Sequence, residues 1–126
     1  MLNALLVFIG GGTGAMARHF MAIGIKHHTE GKIFPYHTLG INLLGALLIG
    51  VIMEIMALRT SLPQSTQFLL ETGFLGGFTT FSAFSLECSL LLERGDYASA
   101  AAYIGASVIG CIALVFVGAW AVHTVL

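Results

Sequence analysis

Phe81 and Phe84 stand three residues apart and alternate with Ser82 and Ser85. At helical spacing the two rings share one face. An aromatic ring has a positive edge. Ring edges beside hydroxyl donors can accept a small anion without a full countercharge, which would hold the ion too tightly for rapid release. The competing reading is a phenylalanine stripe used for packing or lipid contact. Immediately upstream lie Gly73, Gly76, Gly77, Thr79 and Thr80. Each glycine weakens a helix by about 1 kcal/mol relative to alanine, and threonine hydroxyls can turn onto the backbone. The cluster predicts a helix break, and a break frees carbonyls suited to a hard cation such as Na⁺. An unbroken helix with a small-residue face is the alternative.

Other polar groups occupy apolar surroundings. Asn42 lies in Gly40-Ile-Asn-Leu-Leu-Gly45, with Thr38 one turn before it. A buried amide left unpaired costs several kcal/mol, so Asn42 is either interhelical glue or a donor on a pathway. Tyr103 and Ser107 are four apart and face one way. All of these groups donate hydrogen bonds, which an anion losing its water requires. Arg18 falls inside the first apolar run; an arginine there costs roughly 3 kcal/mol on insertion scales and must snorkel or pair with a carboxylate or a helix C-terminus. Glu54, Glu71 and Glu87 sit inside or near segment ends. Intramembrane carboxylates often mark proton pathways, although Glu54 reads as an interfacial anchor.

The elements that must position these groups follow from composition. Of 126 residues, 57% are hydrophobic and 9% charged, with a mean hydropathy of +0.95. Soluble domains carry about 25% charged residues, so this chain cannot cover a water-facing surface. Four apolar segments, about 2–25, 36–58, 67–92 and 97–126, each reach the roughly 20 residues that cross a bilayer. The expected class is an all-α membrane protein: one transmembrane domain over 1–126, with its third helix broken at mid-membrane. The linkers are Lys26 to Pro35, Arg59 to Ser65 with Pro63 at a helix start, and Glu93 to Asp96 with Gly95 as a C-cap. Such short links imply an up-down bundle. Loop charges mildly disfavour a cytoplasmic N-terminus but are too few to fix orientation. Small-residue pairs four apart (Gly10 and Gly14, Ala46 and Gly50, Gly73 and Gly77, Ala106 and Gly110) serve either intramolecular packing or a dimer face.

Several classes are excluded. Net charge is −1 with no basic run, so nucleic acid is not an expected partner. Cys88 and Cys111 lack metal-site spacing and read as small packing residues. No cleavable leader is expected, since the first apolar run lacks a basic start. Gly12-Thr-Gly14-Ala-Met-Ala17 fits a dinucleotide pattern, yet no strand precedes it and no βαβ unit follows. His27 and His28 read as solvated loop residues. No nucleophile–base pair or metalloprotease motif is present, so an enzyme is not expected.

Gly-Gly-x-Gly-Ala-x-x-Arg18, Gly-x-Asn42-Leu-Leu-Gly and Gly76-Gly-Phe-Thr-Thr-Phe81-Ser-x-Phe84-Ser-x-Glu87 resemble, in order and over nearly the whole length, the Fluc-type fluoride channels, also called the CrcB family. The resemblance implies an antiparallel, dual-topology homodimer with two pores, each drawing residues from both subunits. It implies that Phe81 and Phe84 line the fluoride path, that Asn42 belongs to the vestibule, and that Tyr103, Ser107 and Glu87 are polar pathway residues. Gly76 and Thr79 match the positions whose backbone carbonyls hold a central structural Na⁺ at the dimer interface, and Arg18 matches the first-helix arginine. The chain departs from the pattern at Ala83, where many relatives carry a hydroxyl residue; Ser82, Ser85 and Tyr103 are the available compensations.

The expected function is passive, fluoride-selective export across a bacterial cytoplasmic membrane. Fluoride enters as neutral HF, ionises inside, and is driven out by a negative interior at about 2.3 kcal/mol per charge per 100 mV. The alternatives are a small coupled exporter of the multidrug type, a fluoride/proton antiporter, or a membrane scaffold. A multidrug-type exporter would place a carboxylate in the first segment, and none is there.

Overall fold

The computed structural model describes residues 1–59 and 62–126. Thr60 and Ser61, within the expected second linker, lie outside the described residues. Among the described residues the chain is helical, with no strand. Helix α1 spans Leu2–His28 and α2 spans Tyr36–Leu58. The third membrane-length element, Gln64–Glu93, is composite: α3 (Gln64–Gln67), a π-helical stretch (Phe68–Leu75), the single turn α4 (Gly76–Phe78) and then α5 (Phe81–Glu93). Helix α6 covers Tyr97–Val125. Four elements are thus long and apolar enough to cross a membrane. α1 runs three residues beyond the expected Ile25, so His27 and His28 form its exposed last turn.

The turns are built from local chemistry. Gly31 and Gly95 take positive φ values of 79° and 74°, a conformation glycine adopts without steric cost. Asp96 caps α6 by accepting a hydrogen bond from the Ser99 amide at 3.2 Å, satisfying one otherwise unpaired donor.

Backbone proximity at glycines organises the bundle. α1 lies chiefly on the π stretch and α4, and α2 lies chiefly on α6. A Cβ on Gly10 or Gly14 would meet backbone of the π stretch, at Leu69 and Phe74, while one on Gly77 would meet Gly11. On the other pair, Gly50 faces the Val115 carbonyl and Gly118 the Leu47 carbonyl. With no hydrophobic effect between helices in lipid, such close approach supplies the packing attraction. The seams at Gly10, Gly14, Gly50, Gly73 and Gly77 therefore work within the chain. Gly110 meets the Leu43 side chain, and Ala106 is exposed.

The break falls at Thr79 and Thr80, both in extended conformation (ψ 159° and φ −152°, respectively). The glycines that suggested it remain helical; Gly73 and Gly77 are seated against α1 at Gly10 and Gly11. Wide π turns, which were not expected from the sequence, carry Gly73 into that contact.

Candidate functional site

The break is held by side chains from two other helices. Asn42 Nδ2 donates to the Thr80 carbonyl at 3.0 Å, and Asn42 Oδ1 accepts from the Thr80 amide at 2.9 Å. In a continuous helix that amide would bond the Gly76 carbonyl, four residues back. Its diversion to Asn42 frees Gly76 O from the ladder. Thr79 Oγ1 donates to the Leu75 carbonyl at 2.9 Å, and Arg18 Nη1 donates to the Thr79 carbonyl at 3.3 Å. Arg18 thus meets the end of a half-helix and not a carboxylate. Downstream, Thr80 Oγ1 accepts from the Ala83 amide at 3.2 Å and caps α5.

A second polar cluster forms one helical level away, around Glu87. Thr38 Oγ1 donates to Glu87 Oε1 at 2.8 Å. Tyr103 OH donates to Oε2 at 2.6 Å. His37 Nε2 lies 3.1 Å from Oε1. Buried polar groups must be satisfied, and this carboxylate has donors from two elements besides its own. Tyr103 is fully buried and packs against Phe84 at 5.1 Å between ring centroids and against Phe34 at 5.6 Å. Thr38 and Tyr103 act together here through Glu87, which sequence spacing alone did not reveal.

Phe81 and Phe84 are neighbours, with ring centroids 5.3 Å apart and planes inclined by 39°. Their environments differ: Phe84 is 8% exposed and Phe81 77%. Both line an open groove of about 480 Å³ between α2, the break and α6, together with Asn42, Gly76, Thr79 and Ser107. Ser107 Oγ is buried there without a hydrogen-bond partner among the described residues. A second open cavity of about 700 Å³, the funnel, lies across Thr80 from the groove. Its lining includes Arg18, His19, Lys26, His37, Thr38, Ser82 and Glu87. Thr80 lines both cavities, so the extended joint is the partition between them.

Most of the expected site residues therefore fall on one of these two cavities or, like Tyr103, on the Glu87 cluster beside the second. Ser85 does not: its hydroxyl turns back to the Phe81 carbonyl at 3.0 Å on an exposed face. Glu54 pairs with His123 at 3.0 Å near the far helix ends, and Glu71 accepts from Gln67 at 2.9 Å at the rim of the groove. His37 was missed. It adjoins Thr38 in sequence, but adjacent helical residues do not share a face, and only the fold brings both onto Glu87.

No cluster of three or more His, Cys, Asp or Glu side chains that could hold a metal occurs among the described residues. The oxygen donors suited to a hard cation are instead backbone carbonyls. Gly76 is exposed and its carbonyl is released by the break. Thr79 O keeps one lone pair beyond its bond to Arg18.

Fold and site together define a multi-pass membrane protein whose third span is interrupted between a polar, cation-lined funnel and an aromatic groove. A family model described as "CrcB-like protein, Camphor Resistance (CrcB)" matches residues 5–119, and the chain belongs to that family. It is 52% identical over 110 residues to the "Fluoride-specific ion channel FluC" of Granulibacter bethesdensis, covering 86% of this chain and 84% of that protein. It is 47% identical over 117 residues to the protein of the same name from Rhodopseudomonas palustris, covering 93% and 94%. With the one from Chelativorans sp. the identity is 41% over 126 residues, the full length of both. These are names of channels and not of enzymes, in keeping with a sequence that holds no catalytic constellation.

Proposed function

We propose that this chain is a fluoride-selective, passive anion channel of the bacterial cytoplasmic membrane, working as an antiparallel dual-topology homodimer with two pores. The observation that carries the reading is the placement of Phe81. Its ring stands 77% exposed in a largely apolar groove beside buried Phe84, a groove also lined by a Ser107 hydroxyl with no partner among the described residues. One chain builds only one wall of that groove. A second copy against it would close a narrow path lined by ring edges and hydroxyls. Larger halides would fit such a path poorly, and weaker donors would not strip fluoride of its water.

The polar order along the path follows. Arg18 and Lys26 draw anions into the funnel; Thr38, Ser82 and Glu87 form its polar floor, with buried Tyr103 holding Glu87 from behind. Asn42 and Ser107 supply donors near the phenylalanines, where Phe81 and Phe84 present their edges. Ser85 plays a lesser part because its hydroxyl is engaged within the helix. A structural Na⁺ held by the Gly76 and Thr79 carbonyls of two copies fits the oxygen donors released at the break. The ion would neutralise their dipoles where the two breaks meet; it is not transported.

The test is ion efflux from liposomes containing the purified protein, with K⁺ and valinomycin setting the voltage. Fluoride efflux with little chloride efflux supports the reading. No fluoride efflux, or equal rates for both halides, overturns it. A fluoride/proton antiporter, which Glu87 would suit as an intramembrane carboxylate, predicts fluoride movement driven by a pH gradient at zero voltage. Single-molecule counting in the same liposomes gives the copy number. Exchange of Na⁺ for a larger cation during purification should weaken the dimer.

A further inference from the structure

His37 is not needed to hold Glu87 in place. Thr38 already donates to Oε1 and Tyr103 to Oε2. His37 Nε2 adds a third approach at 3.1 Å, and the two side chains are 21% and 18% exposed, respectively. His37 also lines both the funnel that leads to the break and a smaller cavity under the α1–α2 loop. It therefore stands where water reaches it and on the wall of the entrance proposed above.

We infer that His37 is a proton-linked positioning residue for Glu87, setting the charge at the mouth of the anion path. The inference rests on the channel reading above. Histidine is the side chain whose ordinary titration falls between pH 5 and 8. Neutral His37 donates through Nε2–H and leaves the full negative charge of Glu87 facing the funnel. Protonated His37 pairs with that carboxylate and cancels it.

The groups around His37 are known from each neighbouring element. From α1 come Arg18, His19 and Lys26; from the loop, Glu30 and Lys32; from α5, Glu87 and Arg94. Tyr103 of α6 reaches it through Glu87. Glu87 is the charge in contact, at 3.1 Å. The cations stand farther off, across solvent that screens them. Once His37 is charged, the funnel presents Arg18 and Lys26 without an opposing carboxylate. Anion occupancy at its floor then rises. Acid is also the condition under which a weak acid such as HF loads a cell with its anion, so the response has the useful sign.

The experiment measures fluoride efflux at a fixed voltage between pH 8 and pH 5.5, with leak from protein-free liposomes subtracted. The wild-type rate should rise roughly five-fold toward acid, the scale expected of one added charge a few ångströms from an ion in a partly hydrated site. His37→Gln keeps an amide donor but cannot titrate, and should hold the alkaline rate at every pH. His37→Lys carries a charge throughout and should hold the acid rate at every pH. A wild-type rate that does not change with pH overturns the inference while leaving a working channel. So does a His37→Gln profile that follows wild type. Absence of fluoride flux at every pH overturns the channel reading itself.

Discussion

Asn42 reaches across from α2 to form both hydrogen bonds of an amide pair with the Thr80 backbone, at 3.0 and 2.9 Å. One side chain thus supplies the partner that the interrupted ladder denies the Thr80 amide, and adds a second bond to the Thr80 carbonyl. In hydrocarbon, unsatisfied backbone groups are tolerated only where protein or a cavity supplies partners.

Asn42→Leu should therefore do more than remove a polar side chain. It leaves the Thr80 amide without a partner, at about 1–3 kcal/mol, while the Thr80 carbonyl, at the N-cap of α5, still heads that helix's ladder. The melting temperature of the purified protein in detergent should fall, and fluoride efflux should collapse with it. Asn42→Asp keeps the acceptor but loses the donor, and should fall between the two. An unchanged melt for Asn42→Leu would show that the joint is held by something else.

The helix seam makes a sharper contrast. Gly14 is buried against the Phe74 carbonyl, whereas nothing stands within 4 Å of a Cβ at Gly12. Gly14→Ala must push α1 from the π stretch, at about 1–3 kcal/mol. Gly12→Ala should instead gain up to about 1 kcal/mol of helix propensity. Denaturant unfolding in mixed micelles measures both, and equal effects would contradict the packing described.

The two phenylalanines should separate stability from transport. Phe84→Ala empties a buried site against Tyr103 and should cost about 3–5 kcal/mol. Phe81 is mostly exposed on the single chain, so Phe81→Ala should leave the fold of that chain nearly intact while abolishing fluoride efflux. Retained efflux in folded Phe81→Ala protein would remove this ring from the path.

Tyr103→Phe deletes only the hydroxyl that donates to Glu87 Oε2 at 2.6 Å. A hydrogen bond to a charged group contributes about 1.5–3 kcal/mol. The variant should keep its aromatic packing, lose that much stability against denaturant, and conduct fluoride more slowly. Full stability would mean that water replaces the hydroxyl.

The four spans were legible in the sequence because apolar length is a one-dimensional property, and Gly95 marked its turn because only a residue tolerant of positive φ fits there. A joint near the middle of the third span was legible as well, but not its exact seat. Gly73 and Gly77 have low helix propensity, yet tertiary contact with Gly10 and Gly11 keeps them, and Gly76 with them, helical. Propensity lost to packing, and the chain opened at the two threonines instead. The Glu87 cluster was legible only in parts. Thr38, Tyr103 and Glu87 each stood out as polar groups in apolar runs, but their convergence depends on three helices meeting. His37 gave no signal, since its role arises from a neighbour 50 positions away.

The extended pair Thr79 and Thr80 has one more effect. A helix that crosses the bilayer whole keeps its partial charges at the two surfaces, where water and headgroups screen them. Interrupted here, the third span becomes two shorter dipoles laid end to end. The upstream half turns its negative carbonyl end toward the bilayer centre, at Gly76 and Thr79. The downstream half begins with its positive amide end at Phe81 and Ser82. Two residues of irregular backbone thus place opposite poles side by side: a carbonyl end that already draws the Arg18 guanidinium to Thr79, and an amide end, at Phe81 and Ser82, of the opposite sign.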